Sequence, residues 1–256
     1  MSVELRDRDL FNIIVGKYAR KDLVESSSLA RKYRLMAAIG PVLEKLGNLG
    51  TIIDIGCGIG SSAKYLEGLY EHYIGIDQSD EMVRYGKLIF QDNTKVELLA
   101  LNVKSQQLPQ NVADVILSLG ALHHMTELDE VIQSLTRMAK PGASLIAIEP
   151  QRKNPLLQLM RHIRGLVDSS YSKEQSYFTG QELKNLFQKH GLTDISISYY
   201  GFISPPFAEI IFQPQALAIP LSRLAVACDR WLDSNLPGSL KILSFGLIIR
   251  GKFKSR

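Results

Sequence analysis

The sequence has little cysteine, little net charge and no long apolar run, and each shortage excludes a class of protein. Its 2 cysteines cannot build a disulfide framework, which favours a reducing cytoplasm. No stretch reaches the roughly 18 uncharged apolar residues that a membrane-spanning helix needs. Charged residues at positions 6–9 interrupt any apolar start, so we expect no signal peptide. A formal net charge of +4 is too small to indicate nucleic-acid binding by itself.

The sequence does have enough apolar residues, 45% of 256, for a substantial core. Apolar strands alternate with helical segments from Thr51 to Pro150, which predicts a doubly wound, mostly parallel α/β sheet. Ahead of it, residues 1–48 are expected to form a helical cap, with a helix from Leu29 to Leu46 behind a serine cap. The remaining divisions are a core at 49–200, an apolar insertion at 201–241, and a closing strand with a basic tail at 242–256.

A glycine-rich run, Asp54-Ile-Gly-Cys-Gly-Ile-Gly60, directly follows the first predicted strand. Glycines on alternate positions let the backbone turn sharply and approach a ligand without a Cβ in the way. The helix predicted next, Ser61 to Leu69, presents free N–H groups that suit an anionic group. The run therefore predicts a nucleotide-type cofactor site.

Two kinds of cofactor compete for this run. Dinucleotide loops place the third glycine three residues after the second, whereas here Ser61 holds that position and Gly60 comes one residue early. The carboxylate of Asp54 would repel a pyrophosphate but attract the ammonium and sulfonium groups of S-adenosylmethionine (SAM). The run therefore favours SAM over the alternative, a nicotinamide cofactor of an oxidoreductase.

A second predicted strand, His72 to Asp77, ends in a carboxylate 21 positions after Gly56. At about this spacing, a strand-end acid meets the ribose hydroxyls in Rossmann-type sites. Ser79 is expected to cap the next helix, Asp80 to Phe90, which leaves Asp77 free for the sugar. The pattern predicts ribose binding by Asp77.

These motifs, with three that follow, resemble those of the class I SAM-dependent methyltransferases. The other three are Asn102-Val103 after the third strand, the segment from Gly120 to Met125 after the fourth, and Pro141-Gly142 before the fifth. The chain is similar to the small-molecule type, including the ubiquinone/menaquinone-biosynthesis C-methyltransferases. The resemblance implies a Rossmann-like, seven-stranded sheet with an antiparallel last strand, which we place at Ile242 to Ile249. It also implies SAM as cofactor, with no metal.

The resemblance further implies which residues hold the cofactor. In the family, the positions of Asn102 and Val103 lie beside the adenine, where an amide can donate and accept; a turn-forming asparagine is the alternative. A segment near the N-terminus folds over the cofactor, and Tyr18 is its candidate contact, with an ordinary surface tyrosine as the alternative. The expected cofactor-binding residues are Tyr18, Asp54, Gly56, Cys57, Gly58, Gly60, Asp77, Gln78, Met82, Asn102, Val103 and Leu119.

His123 and His124 are the candidate general bases, because the resemblance places their segment beside the transferable methyl group. A neutral imidazole can accept the proton that a phenol, amine or enol-like carbon loses. The sequence leaves open which histidine faces the pocket, and packing or capping roles for both are the alternative. Glu149 is a further candidate, for polarising or orienting the acceptor.

The residues that select the acceptor are expected beyond the fifth strand. Arg161 and Arg164 share a helix face and suit a phosphate or carboxylate, with Tyr171 nearby; a solvated helix face is the alternative. The insertion at 201–241 is largely apolar, which favours a lid over the substrate. A homodimer interface and contact with a membrane surface are its alternatives.

The sequence as a whole predicts a cytoplasmic SAM-dependent methyltransferase, either free or peripheral to a membrane. Its acceptor is expected to be small and apolar, or lipid- or isoprenoid-like, with an anionic group. Gly120-Ala-Leu-His123 stands where DNA and amide-nitrogen methyltransferases carry Asn-Pro-Pro-Tyr or Asp-Pro-Pro-Tyr, so we expect no nucleic-acid substrate. A non-catalytic SAM-binding partner or scaffold protein is the alternative, because binding SAM is not transferring its methyl group. Both a monomer and a homodimer remain open.

Overall fold

One mixed sheet forms the centre of the computed structural model, which describes residues 3–159, 162 and 177–254. Its strands are β1 Thr51–Ile55, β2 His72–Asp77, β3 Val96–Ala100, β4 Ala113–Leu119, β5 Ala139–Pro150, β6 Thr193–Tyr200 and β7 Gly246–Lys252. Their order in the 7-stranded sheet is β3-β2-β1-β4-β5-β7-β6. Only β7 runs antiparallel to its neighbours, β5 and β6, so the predicted Rossmann-like sheet is confirmed.

Helices flank the sheet. They are α1 Val3–Leu23, α2 Glu25–Leu46, α3 Ser61–Tyr65, α4 Asp80–Ile89, α5 Leu128–Met138, α6 Gly180–Lys189, α7 Pro205–Glu209 and α8 Gln215–Asn235. Short 3₁₀ helices cover Leu122–His124 and Leu240–Leu243. Thr179 caps the start of α6, because its hydroxyl accepts from the Glu182 N–H while the Glu182 carboxylate accepts from the Thr179 N–H.

Alternate side chains of the central strands pack on opposite faces of the sheet. Ile53 of β1 and Ile116 of β4 pack with α5 and α6, whereas Ile52 and Val115 pack with α2 and α3. Parallel strands that are buried on both faces read as continuous apolar runs, which explains why these strands stand out in the sequence. The sheet thereby fixes the glycine-rich run at the carboxyl edge of β1.

The closing strand begins later than predicted. Within the predicted Ile242 to Ile249, the strand starts only at Gly246, and Leu240–Leu243 form a 3₁₀ helix. The side chain of Asn154, beyond β5, donates to the carbonyl of Ser244 at 3.0 Å. That carbonyl is therefore held by the segment after β5 before pairing with β5 begins.

Helix α2 begins at Glu25 and not at Leu29, so the predicted serine cap is also wrong. Val24 precedes the helix and makes no capping hydrogen bond through its side chain. Ser26 is instead fully buried, and its carbonyl accepts from the Ser222 hydroxyl of α8 at 2.6 Å. Only small side chains such as these serines fit on this turn of α2, because α8 packs closely against it.

The insertion at 201–241 forms α7 and α8, which pack against α2. A fully buried carboxylate, Asp229, organises the chain that enters α7. Its Oδ1 accepts from the N–H groups of Phe202 and Ile203, both at 2.9 Å, and its Oδ2 accepts from Ser204 N–H at 2.8 Å. Three backbone donors thus fix the start of the insertion from within.

Some predictions lie partly or wholly outside the described residues. After β5, residues 155–159 and 162 are helical, and they are the last that the structure describes before residue 177. Arg161, Arg164 and Tyr171, the expected substrate residues, all lie outside the described part. Within it, no helix combines the length and apolar character needed to cross a membrane.

Candidate active site

A cavity of about 810 Å³, including its open mouth, lies at the carboxyl edge of the sheet. Open α/β sheets bind ligands at this edge. The lining residues come from α1, the ends of β1, β2 and β4, and the segments that follow them and β3. They are Asp7, Phe11, Tyr18, Ile55, Gly56, Gly58, Ile76, Asp77, Gln78, Met82, Leu101, Asn102, Val103, Leu119, Gly120, Ala121, His124 and Met125.

The glycine-rich loop lines the cavity with backbone. Gly56 and Gly58 have φ of 68° and 56°, in the left-handed region that disfavours side chains. A Cβ on Gly56 would lie 2.5 Å from the Cβ of Ala121, so the loop and the segment after β4 are in direct contact. The Gly56 N–H donates to the carbonyl of Ile76 at 2.8 Å, which holds the loop against β2. No larger residue fits at Gly56 without moving these elements.

Asp77 connects the loop to the start of α4. Its Oδ2 accepts from Gly58 N–H at 2.8 Å and its Oδ1 from Ser79 N–H at 2.9 Å. The residue also lines the cavity. Burial raises the pKa of Asp77, against the effect of these N–H donors. Ser79 itself caps α4, accepting from Met82 N–H at 3.2 Å, as the sequence predicts.

Asp54 lies behind the loop and does not line the cavity. It is 1% exposed, and its Oδ2 accepts from the Tyr73 hydroxyl at 2.5 Å. Burial raises the pKa of Asp54 to about 6, although hydrogen bonds from Tyr73 and Ser62 act in the opposite direction. The carboxylate supports the loop from near the end of β1, and its contact with the cofactor stays a prediction.

Cys57 and Gly60, also expected at the cofactor, likewise lie outside the lining. The Sγ of Cys57 would be 2.7 Å from a Cβ on Gly75, and burial raises the pKa of its thiol well above the ordinary value. A Cβ on Gly60 would lie 3.1 Å from the ring of Phe90. Both residues therefore pack the back of the loop against neighbouring elements.

Asn102 forms a turn and also lines the cavity. Its Oδ1 accepts from Lys104 N–H at 2.8 Å, as in an Asx turn, so its amide nitrogen is the group that suits a ligand. Val103 and Met82 provide apolar walls beside it and are 8% and 1% exposed. The turn is observed, and contact with adenine stays a prediction.

Helix α1 provides Asp7, Phe11 and Tyr18 to the cavity wall. Asp7 is 3% exposed and pairs with His124, and the ring of Phe11 lies edge-on to that of His124 at 5.8 Å between centroids. The sequence did not predict Asp7 or Phe11, because the alternating charges of residues 6–9 are typical of a solvated helix face.

Two cations surround Tyr18 on the same wall. The Lys21 ammonium is 5.4 Å and the Arg31 guanidinium 5.0 Å from its ring centroid. Arg31 is 6% exposed and forms an ion pair with Asp22 at 2.7 Å. Nothing in the sequence points to Arg31, since a single arginine within an amphipathic helix gives no signal that it is buried. This ion pair joins α1 to α2.

Two histidine–carboxylate pairs lie side by side after β4. His123 Nδ1 is 2.6 Å from Glu149 Oε2, and His124 Nδ1 is 2.8 Å from Asp7 Oδ2. The two imidazole centroids are 4.1 Å apart. Only His124 of the two lines the cavity, whereas His123 is 9% exposed and stacks on Tyr177 at 5.8 Å. The structure therefore identifies His124 as the histidine at the cavity.

The two pairs also define where protons can reside. An ionised carboxylate only accepts, so Nδ1 of each ring donates and a neutral ring keeps Nε2 as its proton acceptor. Glu149 is fully buried, and its other oxygen accepts from Leu122 N–H at 2.9 Å. Both of its oxygens hold the turn after β4, so Glu149 positions His123 and does not line the cavity.

Two further observations delimit the site. Within residues 3–159, 162 and 177–254, no cluster of three or more His, Cys, Asp or Glu side chains is placed to hold a metal ion. No residue of 201–241 is among those that line the cavity. Helices α7 and α8 therefore do not contribute to its lining, and a lid role for the insertion stays a prediction.

Known proteins resemble this chain in sequence. A family model for the methyltransferase domain matches residues 29–197. A ubiquinone/menaquinone biosynthesis C-methyltransferase of Syntrophotalea carbinolica is 28% identical over 59% of this chain and 64% of its own length. Phosphoethanolamine N-methyltransferase 1 of Arabidopsis thaliana is 25% identical over 56% of this chain and 29% of its own length. The chain thus spans less than two thirds of either relative.

Solved structures share the fold. A SAM-dependent methyltransferase of Thermotoga maritima superposes with a TM-score of 0.64 at 18% identity, over 96% of this chain and 99% of that one. Phosphoethanolamine N-methyltransferase 2 of Haemonchus contortus was solved with phosphomonomethylethanolamine and S-adenosylhomocysteine. It superposes with a TM-score of 0.56 at 15% identity, over 84% of this chain and 52% of that one. Because the family model covers more than half of the sequence, and the sheet order is that of these folds, the chain belongs to the class I SAM-dependent methyltransferases.

Proposed function

We propose that this chain moves a methyl group from SAM to a small apolar acceptor, with His124 as the general base. One observation carries the proposal: a single cavity has Asp77 and the glycine-rich loop on one wall and the His124–Asp7 pair on another. A cofactor site and a proton acceptor thus share one cavity. Neither feature alone would distinguish an enzyme from a SAM-binding scaffold.

The lining residues fit the parts of SAM. Asp77 places a carboxylate, which can accept from the ribose hydroxyls, at the cavity wall, and Met82 and Val103 form apolar walls that suit the adenine. The backbone at Gly56 and Gly58 is open to close approach by the methionine part. When bound, SAM supplies an electrophilic methyl group on a positively charged sulfur.

The chain's own residues then have to orient the acceptor and exclude water. Such alignment contributes about 7–11 kcal/mol to lowering a barrier. Phe11 and Tyr18 of α1 cover the cavity and restrict water. We assign Nε2 of His124 as the atom that takes the acceptor's proton. Asp7 accepts from Nδ1–H of the same ring, which fixes the tautomer and stabilises the imidazolium that forms.

His123 and Glu149 have a supporting role in this proposal. The buried Glu149 carboxylate holds the His123 ring, and this ring lies against that of His124. A fixed neighbour restricts the orientations of the His124 imidazole without touching the acceptor. His123 and Glu149 are therefore positioning residues.

The acceptor class follows from the cavity and from the relatives. Phe11, Leu101 and Met125 give the lining an apolar character beside the polar groups already named. The relatives include enzymes named for ubiquinone/menaquinone biosynthesis, and others named for phosphoethanolamine. We therefore propose a lipid- or isoprenoid-like acceptor. Its anionic group would meet Arg161 and Arg164, as expected from the sequence.

The test begins with isothermal titration of the purified chain with SAM and S-adenosylhomocysteine. A panel of prenylated phenols, quinols and phosphoethanolamine then follows, with formation of S-adenosylhomocysteine as the readout. We expect transfer to the prenylated aromatic compounds. Failure to bind either nucleoside at millimolar concentration would contradict the assignment. Binding without transfer to any metabolite in a cell extract would favour the non-catalytic scaffold.

A further inference from the structure

Helix α8 carries an apolar stripe opposite its contact with α2. Its members are Leu217, Leu221, Leu224, Cys228 and Trp231, here called the α8 seam. The leucines are 63%, 55% and 61% exposed, Trp231 is 64% exposed, and Cys228 is partly exposed. The other side of α8 is buried through Ala218, Ser222, Ala225, Val226 and Asp229. Among the described residues, none covers these four large side chains.

The spacing of the seam is that of helix pairing. Its members follow one another at intervals of four, three, four and three residues. Apolar residues repeating every 3.5 residues on average keep one straight face towards a partner helix. The seam is about 21 Å long, from 1.5 Å per residue. Exposed Ala216 and Ala227 lie beside it, and their small side chains let a second helix approach closely.

The charges of α8 favour a protein partner over a lipid surface. Its charged residues are Arg223, Asp229, Arg230 and Asp233, so the helix has no net charge. Arg223 pairs with Glu25 of α2 at 2.7 Å, and Arg230 lies over the ring of Tyr33 at 5.8 Å. Both arginines are therefore directed to α2. A helix that lies on a membrane surface carries free lysines or arginines for anionic lipids.

The order of residues in the seam fits a second copy of the same helix. If two α8 helices run antiparallel with Leu224 at the two-fold axis, Leu217 of one copy lies opposite Trp231 of the other. Leu221 then lies opposite Ala227 and beside Cys228. Leu224 meets its own copy and the other bulky residues meet different, smaller ones, whereas a parallel pair would set Trp231 against itself. Two-fold contacts of this kind are self-complementary and closed.

We propose that the α8 seam is the interface of a homodimer, with the two α8 helices antiparallel about Leu224. Four large side chains and their alanine neighbours provide less than the roughly 800 Å² per partner of a standard interface. We therefore expect a dissociation constant of about 1–100 µM. The proposal does not depend on which acceptor the enzyme uses.

Sedimentation velocity over about 1–100 µM protein tests the association. We expect a concentration-dependent dimer, and Leu224→Glu should raise its dissociation constant by at least about tenfold. Leu88→Glu is the matched control, because Leu88 of α4 is 60% exposed and lies outside the seam. Both variants should keep the wild-type circular dichroism and melting temperature. A wild type that stays monomeric at 100 µM, or a Leu88→Glu variant as weak as Leu224→Glu, would overturn the proposal.

Cysteine crosslinking tests the geometry. In a background with Cys228→Ser, Leu224→Cys should form a disulfide-linked dimer on oxidation by copper–phenanthroline, and Leu88→Cys should not. Efficient crosslinking of the wild type through Cys228 would show a parallel pair and reject the antiparallel arrangement. Flotation with phosphatidylserine-containing vesicles, lost on Leu224→Glu, would instead assign the seam to a membrane surface.

Discussion

The cofactor edge of the sheet and the helical insertion both contain carboxylates that accept backbone hydrogen bonds, but they use them differently. At the cofactor edge, Asp77 accepts from the N–H groups of Gly58 and Ser79, is partly exposed and lines the cavity. In the insertion, Asp229 accepts three backbone hydrogen bonds and does not line it. Such an acid therefore indicates a binding site only where part of its hydrogen-bonding capacity faces a cavity.

The same contrast applies within the cofactor edge. Asp54, next to last in β1, and Asp77, last in the neighbouring β2, both belong to the expected cofactor set, yet only Asp77 lines the cavity. Likewise, His124 lines it while His123 is held behind by Glu149. Mutations should therefore separate pairs of residues that look equivalent in the sequence.

The largest effect is expected for His124→Gln. Glutamine can still donate to Asp7 but cannot take a proton, so kcat should fall by about 10²–10⁴ while SAM affinity stays within about threefold. His72→Gln, at an exposed histidine at the start of β2, is the control and should leave kcat unchanged. The measurement is a pH profile of kcat with the best acceptor. A His123→Gln variant that loses as much as His124→Gln, with the same pH profile, would reverse the two assignments.

Asp77→Ala should have a smaller effect than His124→Gln, and it should act on the binding of SAM. It removes the carboxylate expected at the ribose and the acceptor of the Gly58 N–H, so Kd for SAM should rise about 100-fold by isothermal titration. Asp80→Ala is the control, because Asp80 is exposed in the first turn of α4. An unchanged Kd in Asp77→Ala would remove the ribose assignment.

The cofactor edge was largely readable from the sequence, for physical reasons. Strands buried on both faces are continuous apolar runs, and glycines in left-handed conformations mark the loop that Gly56 and Gly58 form. A strand-end acid such as Asp77 follows at a nearly fixed spacing. The sequence could not show which of these residues line the cavity and which lie behind the loop. The register that places Asp54 against Tyr73 depends on side chains from two strands, and no local pattern shows it.

The insertion and α1 were less readable, because their roles arise from contacts between distant segments. Asp7 meets His124 across 117 positions, and Ser222 meets Ser26 across 196. Charges near the start of α1 are typical of a solvated face, and apolar residues in α8 suit a lid as well as an interface. Only the direction in which each face points separates these alternatives.

Asp229→Asn tests the insertion side of the comparison. The new amide NH₂ must replace one carboxylate oxygen and face a backbone N–H, so we expect the free energy of unfolding to fall by about 2 kcal/mol. Urea denaturation measures it. Arg223→Ala removes a pair whose arginine side chain is 65% exposed, and should cost less than about 1 kcal/mol. SAM affinity should be unchanged in both, since a large loss would mean that the insertion supports the cofactor edge.

The smallest effect is expected for Asp54→Asn, and its sign depends on pH. The Asp54 carboxyl has a pKa of about 6 when folded against 3.8 for an unperturbed aspartate, so the folded state binds the proton more tightly. Between these values, the unfolding free energy of the wild type falls as the pH rises. The difference between the two pKa values corresponds to at most about 3 kcal/mol.

Because the amide NH₂ also needs a partner, we expect Asp54→Asn to be about 1 kcal/mol more stable than the wild type at pH 7.5, and less stable relative to it at pH 4. Melting temperatures at both pH values test this, with Asp80→Asn as a control that should show no such crossover. If Asp54→Asn instead raised Kd for SAM as much as Asp77→Ala, the distinction between the two strand-end acids would be lost.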